Sequence, residues 1–581
     1  MAEGLNWHAR RERFLNNWHA KRGARQPGAS GFVSQPEPHG LGMVTRGRQL
    51  IAGNLMFAGR LVEARGAMIW DLTAPDGPWT EDIHRFAWLD DLAAVGDERA
   101  RHLAQDWLWE WIRRYGRGKG RVWTPEATGR RIIRWVQHAI FLLRGQDSDA
   151  SKAYFAALSN QANFLARRWR SIPPGQPRFE ALTGLLYAGV ALENMTRFAE
   201  PAHAALAEEC AKRIDETGGI VTRNPEELTE ILTLLTWSRE VLESTGHKVA
   251  PEIEDAIARI APTLRSLRHM DGALARFQGG GAGAEGRLDM ALAASGTKTR
   301  RRKGLSMGYA RLNAGRSSVI VDAAPPASGP VSGQAHASTL GMELCSARRP
   351  LIVSCGPGAP YGTDWRRSCR STAAHSATSI GDQSSAAVTN PRWVGAVRRE
   401  LMENPPQKVP AQVDLIADGL RFEGAHDGFV SRNGLTCARS IVLSHDGRSL
   451  SGEEFLVALE DRDKQRFDAV MQANRLDGIP YQTRFHLHPE VDVGLDMGGQ
   501  AVSLSLRSGE VWVFRFSGPA QMTVEPSTYL ETGRLKPRAS KQIVLSGRAM
   551  EYATRVSWTM AKAQDTPTVS RDLVMDELEL A

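Results

Sequence analysis

The sequence contains no run of about 18 consecutive apolar residues, which excludes a membrane-spanning helix. Cysteine is scarce: Cys210, Cys345, Cys355, Cys369 and Cys437 are the five in 581 residues. Their odd number, wide spacing and lack of a CxxC pair exclude a disulfide framework and a cysteine zinc site. The opening segment MAEGLNWHARRERFLNN has charges but neither an apolar core nor a cleavage site, so it is not a signal peptide as written. With 42% hydrophobic and 24% charged residues, the chain is neither collagen-like, mucin-like nor wholly disordered. Its length predicts about two to four domains, each able to bury a core.

Lys and Arg number 73 against 65 Asp and Glu, a formal charge of +8. Most of the basic residues are Arg, whose planar fork suits carboxylates, sulfates and phosphates. That balance is compatible with an acidic glycan, with nucleic acid, or with a well-solvated Arg-rich surface. The local cluster Lys298–Lys303 reads as a solvated loop, and nucleic acid is not expected as a partner.

From about Glu81 to Met270 the apolar period is helical. His102–Tyr115 spaces Leu103, Trp107 and Trp111 by four, and Thr128–Arg144 repeats the habit with Ile132, Trp135, Val136, Ala139 and Ile140. Ser151–Arg170, Phe179–Phe198, Pro201–Glu216, Pro225–Ser244 and Pro251–His269 follow, joined by short Pro-, Gly-, Asp- and Ser-rich connectors that predict stacked hairpins or a ring. Composition breaks at Gly279-Gly280-Gly281-Ala282-Gly283. Beyond it the period becomes two, in short β-branched runs such as Ser317–Asp322, Arg439–Leu443, Ala501–Leu506 and Tyr552–Met560. Asp418-Gly419, Asp446-Gly447, Asp477-Gly478 and Gly498-Gly499 are expected hairpin turns. A helical half followed by a strand half predicts a multidomain α-then-β chain with a large antiparallel sandwich. The expected division is 1–80 as an extension packed on the helices, 81–285 as the helical domain, 286–303 as a linker and 304–581 as the sandwich.

Motifs in the second half are familiar. They are Met307–Leu312, Ala335-His336-Ala337-Ser338-Thr339-Leu340-Gly341-Met342-Glu343-Leu344, Arg349–Gly356, Trp365-Arg366-Arg367, Arg370–Ser376, Phe485–Pro489 and Lys541–Leu545. With Phe86–Leu89 and Asp271–Phe277 in the helical half, they resemble the heparinase II/III-like family of polysaccharide lyases. That resemblance implies an α/α toroid followed by a β-sandwich, with a shared groove in which uronic-acid-containing glycans are cleaved by β-elimination. It implies a cell-envelope or periplasmic home, although without a signal peptide the cytoplasm stays open. The family supplies an Asn-His pair and a Tyr from the toroid and a His from the sandwich, and some members add a zinc held by His and Asp.

This sequence departs from that pattern. The toroid pair falls at Gln176-Pro177, and proline carries no proton; where a Tyr is expected after the Asp271-Gly272 turn, Phe277 is the only aromatic residue nearby. Ser338, Thr339 and Ser354-Cys355 stand where zinc-binding relatives place acids, so no metal and no cofactor is expected. The residues left for catalysis are His336 and His375 in the sandwich and Glu180 in the toroid, a base if burial raises its pKa. Arg370, Arg366 and Arg178, with Arg130, Arg131 and Tyr309, are the candidates for holding an acidic polysaccharide or oligosaccharide. His486 and His488 share a strand face, which suits either a metal or a plain strand end. Two readings follow: a lyase rebuilt around Glu180 and the histidines, or a catalytically lapsed glycan-binding member. The oligomeric state is not readable.

Overall fold

The computed structural model describes residues 7–40, 42–298 and 304–564; Arg300–Lys303 of the basic cluster lies outside them. Helices fill the first half and antiparallel strands the second, as the change of period predicts.

Helix starts follow the capping chemistry of the sequence. Asp97, Thr124 and Asp147 accept backbone N–H groups at the starts of Glu98–Tyr115, Pro125–Gln137 and Ser148–Arg168. Asn224 does the same for Pro225–Ser244, with Pro225 in the first turn, where its missing N–H costs nothing. Gln176–Ala191 is buried from Phe179 onward, the innermost of the helices around it. Gly129 and Gly184 let it lie against Pro125–Gln137: a Cβ on Gly184 would come 2.5 Å from the Gly129 carbonyl oxygen. Trp111 and Trp135 pack edge-on and Trp88 at a tilt around Phe86, so these tryptophans form core rather than groove.

The expected helix Thr128–Arg144 is two helices, Pro125–Gln137 and Ala139–Leu143, interrupted at His138 (φ −100°, ψ 20°), whose ring bonds Asp90 at 3.0 Å. Before residue 80, the helix Trp7–Gly23 packs on Ser148–Arg168, where Arg168 donates to Asn16 at 2.8 Å and pairs with Glu12. The stretch read as a linker contains a helix, Arg287–Ala294, tied back by Arg287 to Glu230 at 3.1 Å.

The sandwich has two antiparallel sheets. One runs Ala411–Ile416, Gly419–His426, Thr436–Ser444, Ser449–Val457, Ala553–Gln564, Val511–Ser517, Ala501–Ser505, Asp492–Asp496. The other runs Ala520–Tyr529, Arg538–Ala549, Ile479–Leu487, Arg349–Val353, Met342–Ser346, Ser317–Asp322, Tyr309–Ala314, with Thr378–Ile380 also paired to Ile479–Leu487. Phe422, Ile441, Phe485, Trp512, Phe514 and Trp558 fill the space between them. Asp446-Gly447 and Gly498-Gly499 join neighbouring strands as expected. Asp477-Gly478 instead leads into Ile479–Leu487 from an unforeseen helix, Asp461–Ala473, which a Glu460/Asp463 capping box starts and buried Phe467 and Met471 hold down.

Arg223 fastens the halves together. From the connector before Pro225–Ser244 it donates to the carbonyls of Met307 (3.1 Å), Gly308 (2.9 Å), Ala324 (3.0 Å) and Pro325 (2.9 Å), and it pairs with Asp322.

Candidate functional site

The region between the halves holds two polar clusters joined by one backbone segment. The first belongs to the sandwich. His336 Nδ1 lies 3.2 Å from His375 Nε2, and His375 Nδ1 lies 3.1 Å from Ser354 Oγ. Both rings are buried, 4% and 1% exposed. Burial, together with neighbouring cations, holds the His336 pKa far below its usual value and burial lowers that of His375 to about 4, so both are neutral at neutral pH. Phe277 stacks on His375, with centroids 6.4 Å apart, and on Tyr309 at 5.5 Å.

The second cluster sits where helices Pro125–Gln137, Gln176–Ala191 and Pro225–Ser244 begin. Glu180 pairs with Arg130 at 3.0 Å and accepts from Gln176 at 2.9 Å; Arg130 reaches Glu230 at 2.6 Å. Burial pushes the Glu180 carboxyl up, but Arg130 and Arg85 outweigh it and hold the pKa below the usual range. The lift toward a general base that the sequence suggested is therefore absent. Desolvation does raise the carboxyls of Glu226 and Glu227 on the next helix.

Residues 277–281 connect the two. Gln278, in the left-handed region (φ 52°), donates to Asp322 at 2.9 Å, Ser338 Oγ at 2.9 Å and the His336 carbonyl, and accepts from the His336 N–H at 3.0 Å. Three residues on, Gly281 N–H donates to Glu226 at 2.8 Å. A Cβ on Gly280 would come 2.5 Å from Asn224 Oδ1, so only glycine passes there. The glycine run is a thread held at one end by the sandwich cluster and at the other by Glu226.

The residues singled out from the sequence divide accordingly. His336 and His375 meet; Glu180 and Arg130 meet in the other cluster. Arg178 turns away from Glu180, to Glu209 at 2.8 Å and the Ile172 carbonyl at 2.6 Å. Arg131 is core: it donates to Gln161, the His84 carbonyl and Thr128 and lies 4.4 Å above the Trp111 ring. Arg370 is fully buried and donates to the carbonyls of Ala335 (2.8 Å), Ser332 (2.9 Å) and Glu400 (3.1 Å), so its fork holds main chain. Arg366 donates to the Gly333 carbonyl at 2.7 Å, and the buried Tyr309 hydroxyl to the Arg223 carbonyl at 2.6 Å. His486 bonds Ser527 and the Ala373 carbonyl, and His488 accepts from Glu490 N–H, the plain strand-end arrangement.

The zinc of some relatives does not fit these side chains. Two neutral imidazoles and the Ser354 hydroxyl bring no carboxylate or thiolate, and among the described residues no three His, Cys, Asp or Glu side chains gather to hold a metal. Gln278 and Asp322 escaped the sequence reading, and Ser354 entered it only as a residue standing where relatives place an acid. Gln278 had one available sign, its place directly before the glycine run.

Comparison with known proteins fits this architecture. The Heparinase II/III-like, C-terminal family matches residues 296–559. FtsZ-localized protein C of Caulobacter vibrioides (strain NA1000 / CB15N) is 28% identical over 549 residues, 92% of each chain. The crystal structure of heparinase III superposes with a TM-score of 0.66 at 12% identity, covering 96% of this chain and 90% of that one. A mutant of heparan sulfate lyase HepC from Pedobacter heparinus gives 0.58 at 13% identity, covering 96% and 89%. Residues 296–559 are thus a heparinase II/III-like C-terminal domain, and the chain as a whole has the toroid-and-sandwich fold of heparinase III.

Proposed function

We propose that the protein binds a glycan in the groove between toroid and sandwich without cleaving it, and that it works alongside FtsZ, as the name of its Caulobacter relative indicates for that protein. The closed state of the His336–His375 pair carries this reading. Elimination from a uronate needs a cation on the carboxylate, a base about 3 Å from the proton removed and an acid at the departing oxygen. Here both imidazoles are buried against each other and Ser354, and the Arg370 guanidinium holds three carbonyls. By the family resemblance Gln176-Pro177 stands where the toroid's Asn-His pair is expected, and proline carries no proton. Acidic polysaccharides or oligosaccharides are the class to test first, given the family and the charge of +8.

One observation favours the lyase reading instead. Glu180 Oε2 is buried with no hydrogen-bond partner, so it retains a free lone pair on the toroid side. A single experiment separates the two. The protein is incubated with a panel of acidic polysaccharides while the ultraviolet absorbance of the unsaturated uronate is followed, and retention on the same glycans is measured in affinity gels. Retention without absorbance is expected. Absorbance that grows with time and vanishes in Glu180→Gln or His336→Ala would establish elimination.

A further inference from the structure

The helix Trp7–Gly23 has two unlike faces. Ala9, Ala20 and Gly23 are buried against the helical half, and Glu12, the helix's only acid, faces inward to Arg168. On the opposite face Trp7, Phe14 and Trp18 are 67%, 68% and 45% exposed. Separations of seven and eleven residues are close to two and three turns, so the three rings form one straight stripe. Exposed Arg10, Arg11, Lys21 and Arg22 border it. Arg11 lies 5.7 Å from the Trp7 ring and Arg22 5.2 Å from the Trp18 ring. Beside the helix end, Gly118 packs on Ala20, and the loop around it carries exposed Arg117, Lys119 and Arg121.

We infer that this face binds the surface of a membrane containing anionic lipids. Three large aromatics exposed on one helix face are unusual for a surface otherwise so well solvated. A convex helix presents them in a line that a flat surface meets at once, whereas a protein partner would need a groove to enclose them. Trp prefers the headgroup layer, where its ring is apolar and its N–H stays wet. Cations on both flanks, with the acid turned inward, match negative headgroups, and this combination of aromatic and basic residues marks an interfacial helix. Among the described residues no helix is long and apolar enough to cross a bilayer, so the contact is peripheral. It stands apart from the groove and is independent of the function proposed for it.

The test is sedimentation of the full chain with vesicles of phosphatidylcholine mixed with phosphatidylglycerol, against vesicles of phosphatidylcholine alone. Binding to the mixed vesicles is expected to be about tenfold stronger and to weaken with salt. The triple variant Trp7→Ser, Phe14→Ser, Trp18→Ser is expected to lose it at least tenfold, with its melting temperature unchanged because the rings are exposed. Arg10→Gln, Arg11→Gln, Lys21→Gln, Arg22→Gln is expected to remove the preference for anionic vesicles. Failure of the wild-type protein to sediment with mixed vesicles, as for a helix made to dock an acidic protein, overturns the inference. Undiminished sedimentation of the aromatic variant overturns it too.

Discussion

Replacing Arg223 with methionine keeps an apolar stem and removes the guanidinium that fastens the toroid to the sandwich. Four carbonyls, of Met307, Gly308, Ala324 and Pro325, lose a donor, and fully buried Asp322 loses its counter-charge. Removing one partner of a buried ion pair typically costs about 3–5 kcal/mol. Asp322 keeps its hydrogen bonds from Gln278 (2.9 Å) and Ser338 (2.6 Å), which places the expected cost near the lower end, about 3 kcal/mol. In urea, with a slope of about 3 kcal/mol/M, that is a midpoint shift of roughly 1 M. Tryptophan fluorescence is the natural probe, because 12 of the 16 tryptophans precede residue 240 and so report the helical half. Far-ultraviolet dichroism recorded in parallel reports both halves, and its transition should separate from the fluorescence transition in the variant. Arg223→Met with Asp322→Asn should recover part of the loss, since the uncompensated charge is then gone. A midpoint shift equivalent to less than about 1 kcal/mol, or no recovery in the double variant, would refute the role given to this contact.

Three further outcomes are expected. Gly280→Ala should destabilise by about 1–2 kcal/mol in urea denaturation, because the new methyl displaces Asn224 from the cap of Pro225–Ser244. Buried His84, His426 and His488 have pKa values near 3, 4 and 3 in the folded state, against about 6.5 unfolded, each lowered first by burial. The unfolded chain therefore takes up protons first as pH falls below about 6.5, and stability should drop between there and pH 4 by about 3 kcal/mol per group, with His426→Asn flattening the slope. Arg439→Met should cost about 3–5 kcal/mol by stranding Glu454 between the sheets, where Arg439 pairs with it at 2.8 Å, while Glu454→Gln should cost less in the same thermal assay.

The architecture was readable because hydrophobic period is a property of local sequence. Ile132 and Trp135, or Ser317–Asp322, declare helix and strand without reference to anything distant. Thr128–Arg144 misled because the interruption at His138 comes from Asp90, outside the window of periodicity. Asp461–Ala473 passed unnoticed in a half scanned for period two, although Glu460 and Asp463 stand at capping-box spacing. At the site, residue type and motif brought His336 to His375, but a sequence does not say which acceptor an arginine meets. Arg370, Arg131 and Arg178 have the chemistry of ligand grips, and the folded chain gives that chemistry to Ala335, His84 and Ile172 carbonyls. Gln278 comes from the helical side and meets Asp322 and Ser338 only when the halves dock, whereas Asp322 reaches Ser338 through the folding of the sandwich itself.

The thread Phe277–Gly281 also constrains motion. A two-domain enzyme can admit a long polymer by swinging its halves apart and closing on it. Here a swing has to tear either Gln278 from Asp322, Ser338 and His336 or Gly281 from Glu226 before the halves part. At about 0.5–1.5 kcal/mol for each bond, and more where a charge is involved, open states are populated rarely. The two halves therefore move as one solid block, and under the glycan-binding role proposed above a polymer would meet a rigid mould that selects by shape, with no clamping step to select by induced fit.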